Sequence, residues 1–178
     1  MNRKYGLDQV SVRLVKEQPL LANEGITNPE SVVRILADAF RDYDREVVGV
    51  VHLRNDNVPI NMTIASIGTL NSSLAHPREI MKAAFLSNAA SILLFHNHLS
   101  GRLEPSKEDI SLTNRKQQLC TLAGIPVLDH IILGKDQYYY SFREKDILTM
   151  DSMPYSTDLA DINLKIAEKE AKKMSAPC

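Results

Sequence analysis

The chain contains no tryptophan, only two cysteines, no excess of either charge and no apolar run long enough to span a bilayer. Each shortage removes a class of function. Cys120 and Cys178 lack the C-x-x-C spacing of a zinc knuckle or a dithiol redox pair, and two cysteines make no disulfide framework. With 21 basic and 22 acidic residues the net charge is −1, so no global field drives non-specific nucleic-acid binding. The opening MNRKYGLDQVSVRLV has no signal-peptide apolar stretch, so the expected location is cytoplasmic, with no membrane partner. No internal repeat or low-complexity tract occurs. What remains is a chain of 178 residues, 44% hydrophobic and 24% charged, with room for one domain and a true core.

The order of elements can be read from periodicity and punctuation. Val10, Val12 and Leu14 alternate with Ser11, Arg13 and Val15, as in an edge strand that Pro19 interrupts. Asn28-Pro29-Glu30 has the form of a helix start, and Val32, Val33, Leu36 and Phe40 then recur at helical spacing to about Tyr43. Strands are expected from Glu46 to about Asn55 and from Val58 to about Thr69, joined by Asn55-Asp56-Asn57 as a hairpin turn. A helix opens near Pro77, with Ile80, Met81, Ala84, Phe85 and Ala89 as its apolar face. A buried strand begins at Ser91, a helix runs from Ser106 to about Ala123 with Gly124 as its stop, and strands follow over 125–133 and 137–142. Beyond Met150, residues 158–174 form a lysine-rich amphipathic helical pattern. Helices mixed with hairpins indicate an α/β (α+β) protein with a mixed sheet and helices on its faces.

Chemistry concentrates in Ser91 to Asp109, SILLFHNHLSGRLEPSKED. Ile92-Leu93-Leu94-Phe95 is too short and too continuous for an amphipathic helix and reads as a buried strand. Alternation puts His96 and His98 on one face of its end. A loop containing Gly101 and Pro105 returns the chain to Ser106, and Asp109 falls in the first turn of the next helix. Two imidazoles and one carboxylate make three ligands and leave a fourth position for water, the arrangement of a catalytic zinc site rather than a closed structural one. The same residues have a plainer reading. Ser106 and Asp109 fit a capping box and nothing more, and His-x-His fits two half-exposed histidines. Neither the H-E-x-x-H helix of many zinc proteases nor the H-x-E plus P-C-x-x-C pattern of zinc deaminases is present. His96-Asn97-His98 is contiguous and so is not the dispersed set of an HNH nuclease.

The spacing His-x-His, seven residues, Ser, two residues, Asp resembles the signature of the JAMM (MPN-domain) metalloproteases. The wider stretch HNHLSGRLEPSKEDISLT, with GTLNSSLAHPREIMKAAFLSNAASILLFHNH and LAGIPVLDHIILG, resembles the RadC-like branch of that superfamily over roughly residues 28–150. Leu99 stands where RadC-like chains usually have proline. The resemblance implies an MPN/cytidine-deaminase-like fold, a curved, largely antiparallel sheet flanked by helices. It divides the chain into an N-terminal extension (1–27), the RadC-like domain (28–150) and a C-terminal helical tail (151–178). The helix-hairpin-helix region that RadC-like proteins often carry is not expected within residues 1–27.

The resemblance further implies Zn2+ held by His96, His98 and Asp109, and an upstream glutamate, here Glu46 before VVGVVHLRN, as the proton shuttle. Ser106, by hydroxyl or adjacent amide, is a candidate oxyanion donor. The implied reaction is hydrolysis of a peptide or isopeptide bond; the alternative is a non-catalytic RadC-like metal-binding module tied to DNA repair or a mobile element. His52 and His76 read as structural, the latter with a rim or substrate role as the alternative. His130, after Asp129, reads either as a core hydrogen-bonding residue or, with Asp129, as support for a metal-bound imidazole.

Overall fold

A computed structural model describes residue 11 and residues 13–17, 28–40, 43–68, 75–98 and 100–148, with residues 37, 38 and 136 described by their backbone alone. The described part of the expected N-terminal strand, residue 11 and residues 13–17, is irregular, and Leu14 and Val15 are exposed. Val10 and Val12, the 69–74 loop, Leu99 and the 158–174 helical pattern lie outside the described residues.

Five strands form one sheet in the order β2-β1-β3-β4-β5: β1 (Val47–Leu53), β2 (Pro59–Ile67), β3 (Ser91–Asn97), β4 (Val127–Leu133) and β5 (Tyr139–Ser141). Only β3 and β4 run parallel; the other three pairings are antiparallel, as expected for a mixed, largely antiparallel sheet. The parallel step needs a crossover, and α3 (Lys107–Leu122) supplies it. Helices α1 (Pro29–Phe40) and α2 (Pro77–Leu86) precede the two halves of the sheet.

Alternation along the strands sorts the core into two layers. Val47, Val51, Leu53, Leu93, Phe95, Ile131 and Leu133 meet Val32, Val33, Leu36 and Phe40 of α1. Val48, Val50, Ile92, Leu94, Val127 and Ile132 meet Ile80 and Ala84 of α2 and Cys120 of α3. Helices therefore cover both faces, which explains why β1 is buried along its whole length and β3 all but its last residue. Burial raises the Cys120 thiol to about 11, so it behaves as a small apolar residue.

Local chemistry sets the ends of the elements. Asn28 Oδ1 accepts from the Ser31 amide at 2.9 Å and starts α1, which is described as far as Phe40; residues 41 and 42 lie outside the described residues, and Tyr43 is not helical. Gly124, at φ +73°, ends α3 as expected. The β5 strand is shorter than the expected 137–142, because a 3₁₀ turn over Lys135–Gln137 takes up its first part. Phe85, expected on the apolar face of α2, is 58% exposed, while Ala83 is buried instead. Among the described residues no helix is long and apolar enough to cross a membrane.

Candidate metal centre

His96 is the last fully buried residue of β3 and points to the α2/α3 side of the sheet, two positions beyond Leu94. His98 lies just past the strand end, where a turn closed by the Gly101 amide on the His98 carbonyl (3.0 Å) bends the chain back. Gly101 sits at φ +70°, a conformation glycine adopts without steric cost. The chain then enters α3 through a complete capping box. Ser106 Oγ accepts from the Asp109 amide at 3.1 Å, and Asp109 Oδ2 accepts from the Ser106 amide at 2.8 Å. This cap fixes Asp109, which has no exposed surface.

The three side chains converge. His96 Nε2 and His98 Nε2 are 2.9 Å apart. Asp109 Oδ1 lies 3.6 Å from His96 Nε2, and Asp109 Oδ2 lies 3.5 Å from His98 Nε2. All three donor atoms fall within 4.8 Å of one another. Four donors about 2.0–2.1 Å from a tetrahedral ion stand about 3.3 Å apart, close to these separations. Two further observations test the fit. Asp109 Oδ1 is buried and accepts no hydrogen bond, which is costly for a carboxylate oxygen away from water. His98 Nδ1 lies 2.7 Å from the Arg102 carbonyl, so it donates there, and a neutral His98 turns the bare lone pair of Nε2 toward His96 and Asp109. Lone pairs and a carboxylate oxygen facing one point suit a divalent cation.

Protonation reflects the same geometry. Burial pushes the His96 imidazole down to about 3. Hydrogen bonding to Asp109 raises His98 above the usual imidazole value against the effect of its burial. Burial opposes the charge of Asp109, yet hydrogen bonds from His98 and Ser106, with the charge of His96 nearby, hold its carboxyl well below the usual range.

Glu46 immediately precedes β1, and its Oε2 is shielded from solvent. Val48 pairs with His96 at the end of the antiparallel β1–β3 ladder, so Glu46 lies two residues before this pair on one strand and His98 two residues after it on the other. Its negative charge is among those raising the His98 pKa. The backbone on both sides of Glu46 is held by Asn97: Asn97 Oδ1 accepts from the Val47 amide at 2.8 Å, and Asn97 Nδ2 donates to the Arg45 carbonyl at 3.3 Å. The Glu46 carbonyl accepts from the Gly68 amide at 3.0 Å.

Ser106 is placed beside Asp109, and its hydroxyl hydrogen goes to Asp109 Oδ2 at 2.6 Å. His52 is fully buried, deeper than the half-buried position expected of it. Its Nε2 pairs with Thr63 Oγ1 at 3.1 Å, and burial lowers its pKa to about 4. His76 caps α2, its Nδ1 accepting from the Arg78 amide. The Asp129–His130 pair divides, because adjacent strand residues face opposite sides. Asp129 Oδ2 accepts from Ser141 Oγ at 2.6 Å, and Asp129 Oδ1 accepts from the His130 and Arg143 amides, away from the candidate metal ligands. His130 Nε2 stands 2.8 Å from His96 Nδ1.

Three residues near the site were not singled out from the sequence: Asn97, Thr113 and Lys116. The buried face of α3 is Asp109, Thr113, Lys116 and Cys120, at ordinary helical spacing. Most of it is polar, so a search for apolar periodicity passes over it. The available signal was the position of Thr113 one turn beyond a candidate ligand.

The chain is similar to proteins of one known family. Residues 26–147 match the family model described as the RadC-like JAB domain. A UPF0758 protein of Clostridium tetani is 44% identical over 126 residues, covering 71% of this chain and 55% of that protein. One from Rubrobacter xylanophilus is 40% identical over 141 residues, covering 78% and 61%. One from Moorella thermoacetica is 43% identical over 128 residues, covering 72% and 56%. The chain thus spans a little over half the length of these curated relatives.

Proposed function

The chain belongs to the RadC-like JAB domain family, and from that premise we propose that it is a zinc-dependent hydrolase that cleaves an amide bond in a peptide or isopeptide. The observation that carries this reading is the convergence of His96 Nε2, His98 Nε2 and the buried, unpaired Asp109 Oδ1. The catalytic unit is assigned to residues 28–150, with 1–27 and 151–178 as flanking segments.

His96, His98 and Asp109 would hold the ion. A zinc ion there supplies Lewis acidity and lowers the pKa of a coordinated water to about 7. Glu46, whose flanking peptide groups are bonded by Asn97, takes a proton from the attacking water and delivers it to the leaving amine. Ser106 holds Asp109 Oδ2 through its hydroxyl hydrogen. An oxyanion role through the Ser106 hydroxyl requires that hydrogen to leave Asp109, so the hydroxyl is better suited to aiming the ligand, and the adjacent backbone amide stays the candidate oxyanion donor.

The test has two parts. Elemental analysis of the zinc-loaded protein should give about one zinc per chain, and near zero for Asp109→Ala. Wild type and Glu46→Gln are then incubated with a mixed library of peptides and lysine isopeptides and read by mass spectrometry. The glutamine variant should keep its zinc and cleave nothing that wild type cleaves. A protein that takes up no zinc overturns the metal centre. Full cleavage by Glu46→Gln removes that residue from the mechanism, and zinc binding with no cleavage by wild type favours the non-catalytic module.

A further inference from the structure

We infer that Thr113 and His130 fix the tautomer of His96, leaving the His96 nitrogen that faces Asp109 as a bare lone pair before any cation binds. This rests on the metal-centre reading for its purpose, though not for its geometry. Thr113 Oγ1 lies 2.6 Å from the Asp109 carbonyl and 2.6 Å from His130 Nδ1. His130 Nε2 in turn lies 2.8 Å from His96 Nδ1. The hydrogens in this chain can be assigned by counting. A carbonyl oxygen only accepts, so the single hydroxyl hydrogen of Thr113 goes to Asp109. Thr113 Oγ1 must then accept from His130 Nδ1–H. A neutral imidazole carries one N–H, so His130 Nε2 is an acceptor, and His96 must donate to it from Nδ1. His96 Nε2 is left without hydrogen, 2.9 Å from His98 Nε2 and 3.6 Å from Asp109 Oδ1.

The reverse assignment fails locally. A hydrogen on His130 Nε2 would leave its Nδ1 lone pair against a Thr113 oxygen whose hydrogen is already committed to Asp109. Turning that hydroxyl toward His130 would instead leave Thr113 Oγ1 and the Asp109 carbonyl oxygen 2.6 Å apart with no hydrogen between them. In both cases the hydrogen of His96 would sit on Nε2 and block it as a ligand. The His130 ring stacks on Phe142 with centroids 4.7 Å apart and lies inside the core, a setting for the neutral ring with its single N–H. The network closes on itself: one ligand, His96, is oriented through His130 and Thr113 by the backbone of another, Asp109. His98 has the simpler arrangement, donating to the Arg102 carbonyl. Partners of this kind behind a metal-bound imidazole are typically worth about 10–100-fold in metal affinity.

The test uses the whole chain as wild type, Thr113→Val, Thr113→Ser and His130→Leu. Zinc affinity is measured by competition with a chromophoric chelator, and the His96 tautomer by 15N chemical shifts of the metal-free protein. Wild type should show His96 in the Nδ1–H form. Thr113→Val, which keeps the shape and loses the hydroxyl, should bind zinc about 10–100-fold more weakly and show mixed His96 tautomers. Thr113→Ser should restore both readings, an outcome that mere packing of the threonine methyl would not produce. His130→Leu should lose affinity at least as much as Thr113→Val. Equal zinc affinity in wild type and Thr113→Val, with an unchanged His96 tautomer, overturns the inference. Wild type that binds no zinc sinks the metal-centre reading alone, because the 15N shifts still decide the tautomer.

Discussion

Lys116 is a cation set almost wholly inside the protein, one turn beyond Thr113 on the inner face of α3. Pro77, Ile80, Met81, Leu119 and Cys120 line the same small pocket as Lys116. Burial lowers its pKa to about 8, against the pull of Asp109. An unfolded lysine titrates near 10.4. The unfolded chain therefore binds more protons between those two values, and stability rises with pH across that window. Below about pH 8 the native state carries the full penalty, on the order of 3 kcal/mol. Lys116→Met keeps the length of the chain and removes the charge. It should raise stability at pH 7 by about 1–3 kcal/mol, read from the urea midpoint at unchanged m. The gain should shrink as pH is raised from 8 to 10.5; a gain independent of pH would mean that the ammonium is not the cause.

At the scale of elements, the pairing of β1 with β3 joins the proposed proton shuttle to the proposed metal ligands. Asn97, between the two candidate ligand histidines, bonds to the Val47 amide and the Arg45 carbonyl, 50 and 52 residues earlier in the chain and on either side of Glu46. Asn97→Ala should leave zinc content unchanged and release the Glu46 backbone. Cleavage should fall by about 10–100-fold, as a displacement of about 1 Å in a reacting group does. Hydrogen exchange at the Val47 amide should quicken with it, and an unaltered Val47 exchange rate would separate Asn97 from Glu46. The same ladder holds a second constraint at Gly49, which pairs with Phe95. A Cβ at residue 49 would lie 2.1 Å from Phe95 Cζ, a clash with the tip of the ring, and that ring also packs edge-on against Phe40 of α1 with centroids 5.0 Å apart. Gly49→Ala should therefore destabilise by at least about 1–3 kcal/mol, the usual range for overpacking. A urea midpoint equal to that of wild type would show that the ring moves aside freely.

At the scale of the whole molecule, what could be read from the sequence depended on how far along the chain each contact reaches. His96, His98, Ser106 and Asp109 occupy a consecutive strand, turn and helix start, so side-chain alternation and capping rules were enough to bring them together. His130 reaches His96 only because β4 lies parallel to β3, and no local pattern specifies that neighbour. Glu46 was identified through family resemblance, since a charged residue before a strand is otherwise unremarkable. Phe85 shows a different limit: spacing marks the inner side of a helix without saying how far neighbouring elements cover it. The long-range contacts have one collective consequence. His52, His96 and His130 are all buried as neutral rings, with pKa values of about 4, about 3 and well below the ordinary value. Their unfolded forms titrate near 6.5, so below that pH the unfolded chain binds more protons and stability falls as pH falls. His98 and Asp129 act in the opposite direction, since both are raised in the folded protein. Each net proton is worth about 1.4 kcal/mol per pH unit, so the metal-free protein should lose about 2–4 kcal/mol per unit between pH 6.5 and 4.5. Against a typical total of about 5–15 kcal/mol, that brings unfolding near the lower end of the window. His52 lies away from the ligands and bonds to Thr63, which makes it the cleanest probe. His52→Gln keeps a partner for Thr63 and should reduce the slope by about 1.4 kcal/mol per unit. Urea titrations of the metal-free protein at half-unit steps from pH 4.5 to 7.5 measure it, and a slope the same as that of wild type would mean that His52 is protonated in the native core.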